Sequence, residues 1–263
     1  MLNKLLKYDL KYMIKNMSVF YILSLFFAIT TRILFSMDQS FMVKLLGQIS
    51  VGCMFSMIAS VLINVMMRSW VRFKDSVYKD EAYLTHTLPV TKNDIYNSKF
   101  IQTLIFFIIS FVIVVISLFI TYYTPERWES IKSLINTITT GLEFNTGLFI
   151  TSMLTVIFLE VFNAIQCGFF GIILGHEQNN GKIGFSVLFG FGAYLFAQSI
   201  VLGLTFIVGL FNSSIGDLFK NNVMLDSSSF KLLTVLAIIF YLVIIFLMSI
   251  ICKKELSKGV NVD

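Results

Sequence analysis

Long apolar runs alternate with short polar stretches along this chain, and the runs set the elements. Six stand out: Met17–Phe35, Leu45–Met67, Phe100–Tyr122, Gly147–Leu174, Ile183–Phe211 and Phe230–Cys252. A hydrocarbon core about 30 Å thick needs roughly 20 helical residues at about 1.5 Å rise each, and every run supplies that length. Backbone amides in lipid must bond within their own segment, so the runs predict helices. A membrane β-barrel would alternate apolar and polar residues over strands of about 10, and no stretch here does so. Both prolines, Pro89 and Pro125, fall outside the runs, so no proline kink is expected in a span. The expectation is an all-α integral membrane protein, a single transmembrane domain over residues 1–263.

The polar stretches predict three smaller features. In "MLNKLLKYDLKYMIKN", Leu2, Leu5, Leu6, Met13 and Ile14 fall roughly on one helical face and Lys4, Lys7, Lys11 and Lys15 on the other. That pattern suits an interfacial amphipathic helix, and equally a plain basic anchor. After the third span, Thr124 can cap a helix, Pro125 suits its first position, and Glu126 and Glu129 suit its positive end. Trp128, Ile131, Ile135 and Ile138 then recur at helical spacing, which predicts a short amphipathic helix on the outer face with Trp128 at the interface, either a lid on the outer mouth or a helix resting on lipid. The third feature is "YKDEAYLTHTLPVTKNDIYNSK", Tyr78 to Lys99. "RSWVRFKDSVYKDE" extends the second helix beyond its span, and "DEAYLTH" makes a short crosswise turn. Pro89 then breaks the backbone and pushes Leu88 out of the α region. Thr91 caps a new helix, with Asp94 three residues on and Val90 and Ile95 placed for a hydrophobic staple. Tyr78 and Tyr83 are expected as exposed aromatics, and the whole reads either as a protein-docking knob or as a solvated loop.

Composition agrees with the pattern: 57% hydrophobic, 13% charged, 28 Phe and a mean hydropathy of +0.84. Charge sets an orientation. Lys4, Lys7, Lys11 and Lys15; Arg68, Arg72, Lys74, Lys79, Lys92 and Lys99; Lys182; and Lys253, Lys254 and Lys258 all fall on one side. Arg32, Lys44, Arg127, Lys132, Lys220 and Lys231 are left to the other, so both termini are expected in the cytoplasm. An anionic inner leaflet then accounts for the net charge of +5, and no nucleic acid is called for. The first run lacks a small-residue cleavage site and reads as an uncleaved anchor, not a signal peptide.

Candidate chemistry is sparse. "GHEQNNGKI", Gly175 to Ile183, has the wrong glycine spacing for a phosphate-binding loop and no Ser or Thr to hold magnesium. It reads as a turn. His86 and His176 read as solvated loop residues with no metal partner nearby, and no catalytic constellation is present. Cys53, Cys167 and Cys252 read as small apolar fillers, and "DSSSF" as a helix start capped by Ser227–Ser229. Polar residues inside spans are costly and should face protein or water. Glu160, Asn163 and Cys167 share a face of span four, with Gln166 nearby and Gly168 and Gly171 allowing close approach. Arg32, Asn64 and Gln198 are further candidates for a polar seam. Glu160 reads either as a pathway residue or as a structural partner within the bundle.

Six spans, a surface helix before the first, and an acidic-aromatic stretch ending "LPVTKNDIYNSK" resemble the ABC-2-type permeases, the membrane subunits of ATP-binding-cassette exporters. Glu81, Leu88, Pro89, Val90, Thr91 and Lys99 stand where that family's pattern expects them. The resemblance implies that the polar segment is a cytoplasmic coupling helix docked in a groove of a separate ATPase. Its contact residues would be Tyr78, Asp80, Glu81, Tyr83, Leu84, Leu88, Pro89, Val90 and Thr91. It further implies a pathway formed with a second copy or a sister permease in a bacterial plasma membrane. ATP and magnesium would sit on the partner, no cofactor on this chain, and the cargo would be a hydrophobic or amphipathic compound, including a peptide. The other reading is a stand-alone secondary transporter or channel. Inverted repeats would favour it, and spans one to three show no convincing likeness to spans four to six. An intramembrane enzyme would need paired acids or histidines within the spans, which the chain does not supply.

Overall fold

Apolar runs of this length become helices, and in the computed structural model they are almost all of the chain. It describes residues 2–37, 40–79, 81–87, 89–123, 125–141, 145–216 and 227–259, without the side chains of 86, 125–127, 213, 214 and 227. Asp80, Leu88 and Thr124, and the side chains of His86, Pro125, Glu126 and Arg127, therefore lie outside the described residues. The order is α1 (Leu2–Ser36), α2 (Phe41–Val77), α3 (Ala82–Thr87), α4 (Lys92–Tyr122), α5 (Pro125–Gly141), α6 (Thr146–His176), α7 (Lys182–Phe211), α8 (Ser213–Gly216) and α9 (Ser227–Lys258). No strand occurs among the described residues, and α1, α2, α4, α6, α7 and α9 are long and apolar enough to cross a membrane.

The helices cluster into two compact units, one ending at Trp128 and one beginning at Glu129. In the first, α1, α2 and α4 pack on one another. Arg72 meets Asp9 and Ser50 meets Thr31, so α2 runs antiparallel to α1. Lys99 meets Asp9 and Ser110 meets Tyr21, so α4 runs parallel to it. Small hydroxyls line these seams. Ser24 bonds Ser117 at 2.9 Å, Thr31 bonds Ser50 at 2.7 Å, and Tyr21 bonds Ser110 at 2.8 Å. Thr121 donates to Met54 Sδ at 2.9 Å, beside an apolar core of Ala28, Met54 and Ile58. Large apolar side chains such as Phe26, Ile29, Val112 and Phe119 point outward instead. Polar seams with an apolar exterior are what a lipid solvent selects, because burial of apolar surface there brings no gain over lipid.

In the second unit, α6 packs against both α7 and α9. A Cβ on Gly171 would lie 2.5 Å from the backbone of Gly190, and Gly175 faces Ser186 as closely, so α6 and α7 run antiparallel with their backbones nearly touching. Gln166 donates to Ser249 at 3.3 Å and Phe149 stacks on Phe230 at 5.7 Å, which sets α9 parallel to α6. The turn between α6 and α7 uses Gly181 at φ +68°, the left-handed region glycine enters freely, as the glycine-asparagine reading of that stretch expects. Thr146 donates to Asn136 at 3.2 Å and so joins α5 to the start of α6. α5 is the amphipathic helix anticipated after the third span, with Trp128, Ile131 and Ile138 exposed.

Two expectations change here. The N-terminal segment is not a separate element: α1 runs unbroken from Leu2 to Ser36, and Asp9, Met13 and Met17 point inward along one stripe. Spacing of four keeps those three on a single helical face, which packs on the bundle while Ile14 stays 60% exposed. His176 is no loop residue either. α6 continues through it, the ring is buried, and its Nδ1 lies 2.8 Å from the Ile172 carbonyl oxygen.

Candidate functional site

At one end of the first unit, four charged side chains meet. Asp9 on α1 receives Arg72 Nε at 2.9 Å, Lys99 Nζ at 2.5 Å and Ser98 Oγ at 2.7 Å. Arg72 turns its Nη1 to both oxygens of Glu81, at 2.7 and 2.6 Å, and its guanidinium lies 4.7 Å from the centre of the Tyr12 ring. The Asp9 and Lys99 side chains are 1% and 2% exposed, Arg72 10% and Glu81 47%. Two carboxylates balance two cations. Buried charges are tolerated on that condition, with the remaining lone pairs and protons satisfied. One turn further along α4, Gln102 Nε2 and Thr103 Oγ1 are buried without a partner, so the site has donors beyond those Asp9 uses.

The cluster exists because three local decisions place its members. α2 continues past its apolar run to Val77, which carries Arg72 to the end of the bundle. Thr91 caps α4, accepting from the Asp94 amide at 3.1 Å, so α4 starts early enough to present Ser98 and Lys99. The chain then folds back after Tyr78: the Glu81 amide bonds the Asp75 carbonyl at 3.2 Å and Ala82 bonds Lys79 at 2.7 Å, which sets α3 beside α2.

α3 is a short helix of six residues in the stretch where the sequence anticipates a helical turn. Its Ala82 and Thr85 turn inward, whereas Tyr83 and Leu84 are 69% and 71% exposed. Pro89 and Thr91 are exposed and Val90 half-buried. Tyr78 departs from expectation, being only 2% exposed. As the C-cap of α2 it folds under the knob onto Phe73, which in turn meets Tyr96 edge-on at 6.3 Å. Aromatic contact outweighs solvation of its hydroxyl there.

A second polar group lies midway along the second unit. Asn163 is fully buried, its Oδ1 receiving the Cys167 thiol at 3.9 Å and its Nδ2 without a partner. Tyr241 donates to Gln198 Oε1 at 3.2 Å, while Gln198 Nε2 is buried and also lacks a partner. Glu160 is half-buried and lies within electrostatic range of Tyr241. Gln166 is held by Ser249. The structure thus gathers Glu160, Asn163, Gln166 and Gln198 in one unit. Arg32 and Asn64 belong to the other, where Asn64 donates to Ser60 of its own helix at 2.8 Å.

Sequence reasoning passed over Asp9 and Tyr241. For Asp9 there was a signal: one acid among Lys4, Lys7, Lys11 and Lys15, on the stripe of Met13 and Met17. Tyr241 had none, sitting in an apolar run where a tyrosine is unremarked. Among the described residues no group of three or more His, Cys, Asp or Glu could hold a metal ion. No family model, curated protein or solved structure matches the chain.

Proposed function

We infer that this chain is the permease subunit of an ATP-driven exporter of the ABC-2 type, with α3 as its coupling helix. The observation that carries the reading is the ion cluster. A six-residue helix with an exposed Tyr83–Leu84 tip is tied through Glu81 and Arg72 to Asp9 and Lys99. A push on α3 therefore reaches α1, α2 and α4 together, and in this reading that is how closure of a partner ATPase on ATP moves the spans. The N-terminal part of α1 serves as a lever joined to the knob through Asp9. Both termini face the cytoplasm, the ATPase grips the knob from there, and a second copy or sister permease completes the path through the plasma membrane. ATP and magnesium belong to the ATPase, and the cargo is hydrophobic or amphipathic.

The test is a reconstituted permease–ATPase complex in proteoliposomes. Glu81→Gln and Pro89→Ala are expected to leave ATP hydrolysis largely intact while transport per ATP falls. Variants that transport normally would remove the coupling role.

One observation favours the other reading, a stand-alone secondary transporter or channel: the half-buried Glu160 among buried amides midway along α6 and α7. It predicts that the isolated chain moves solute down an ion gradient without nucleotide.

A further inference from the structure

Four independent contacts bring four mid-helix side chains to one depth. The Gly171–Gly190 approach sets the antiparallel register of α6 and α7. Eight residues further along each helix, about 12 Å at 1.5 Å per residue, stand Asn163 and Gln198. The Gln166–Ser249 bond and the Phe149–Phe230 stack set the parallel register of α6 and α9, which puts Glu160 level with Tyr241. The Tyr241–Gln198 bond closes the triangle.

The chemistry of this cluster is incomplete in a particular way. Each amide has its oxygen engaged and its NH2 group buried with nothing to donate to. Buried donors in native proteins find acceptors, and an unmet one is costly. Glu160 has the opposite need. A carboxylate at mid-membrane depth is costly without a countercharge. Among the described residues no ion pair reaches it: Lys132 lies on α5, and the basic residues of α6, α7 and α9 are confined to helix ends, Lys182, Lys231, Lys253, Lys254 and Lys258. The nearest in sequence to Tyr241 is Lys231, about 15 Å along the axis at 1.5 Å per residue. Donors without acceptors beside a carboxylate without a cation describe the complement of one ligand class.

We propose that Glu160, Asn163, Gln198 and Tyr241 form a mid-membrane binding site for a protonated amine with an adjacent carbonyl, as in an aminoacyl amide or a peptide terminus. The ammonium pairs with Glu160, and the carbonyl accepts from the Asn163 and Gln198 amides. α7 and α9 also frame an apolar groove of about 610 Å3, lined by Phe189, Phe196, Ile200, Ile244 and Met248 among others. It begins at the same depth and suits a hydrocarbon tail. That this ligand is the cargo rests on the export reading; that the site binds it does not.

The chain alone, in lipid nanodiscs, tests the site with no ATPase present. Glycine dodecylamide carries the ammonium, carbonyl and tail; N-acetylglycine dodecylamide lacks the charge, and dodecylamine lacks the carbonyl. After subtraction of partitioning into empty nanodiscs, the glycine probe should bind about tenfold tighter than either control, a difference of about 1.4 kcal/mol. Glu160→Gln should erase the preference over the acetylated probe. Asn163→Leu and Gln198→Leu should erase the preference over dodecylamine. Equal binding of the three probes by the unaltered chain would overturn the proposal without any variant, and so would a Glu160→Gln variant that keeps the charge preference. A failed coupling experiment would leave both results standing.

Discussion

Removing the Asp9 carboxylate would leave Arg72 and Lys99, with side chains 10% and 2% exposed, as neighbouring cations with Glu81 as the one carboxylate left to them among the described residues. Stripping one partner from a buried ion pair costs about 3–5 kcal/mol, so Asp9→Ala should destabilise the first unit by that order. Glu81→Ala should cost about 1 kcal/mol or less, because that carboxylate is half in water. Denaturant unfolding in mixed micelles separates the two, and equal losses would show that the cluster is not organised around Asp9. This residue also shows where reading the sequence stops. Asp9 lies 63 positions from Arg72 and 90 from Lys99, and no local pattern announces a pairing at that range. The other charged residues of its segment, all lysines, make it look like a basic surface helix; the inward stripe Asp9 shares with Met13 and Met17 becomes evident only once α2 and α4 are alongside. Tyr78 and His176 were misjudged for a related reason, since each sits just where a helix continues or turns and only packing decides its exposure.

Elements were far more legible. The six apolar runs became six long helices, and Thr91 with Asp94 marked the start of α4 because capping is a chemistry of adjacent residues. Thr91→Ala should therefore cost about 1 kcal/mol and fray the first turn of α4, seen as faster amide exchange over residues 92–95. Gly171 tests the other kind of element contact. A side chain there meets the α7 backbone, whereas Gly192 on α7 has nothing within 4 Å. Gly171→Ala is expected to destabilise by about 1–3 kcal/mol through overpacking. Gly192→Ala should be neutral or stabilising by up to about 1 kcal/mol, the helix-propensity gain. Thermal denaturation in detergent reads both, and matched effects would mean that α6 and α7 do not touch at Gly171.

At the scale of the molecule, an exposed knob is joined to three long helices through one charge cluster. α3 offers an exposed aromatic and an exposed apolar side chain, Tyr83 and Leu84, and in the proposed reading a partner ATPase grips them. The direct measurement replaces Tyr83 or Leu84, in cells, with a photo-crosslinking residue and identifies what the knob is joined to after illumination of native membranes. A covalent adduct with a nucleotide-hydrolysing subunit is expected at the tip positions and not at exposed apolar positions of the long helices such as Phe26 or Phe119. Adducts with lipid alone, or with proteins that hydrolyse no nucleotide, would contradict it.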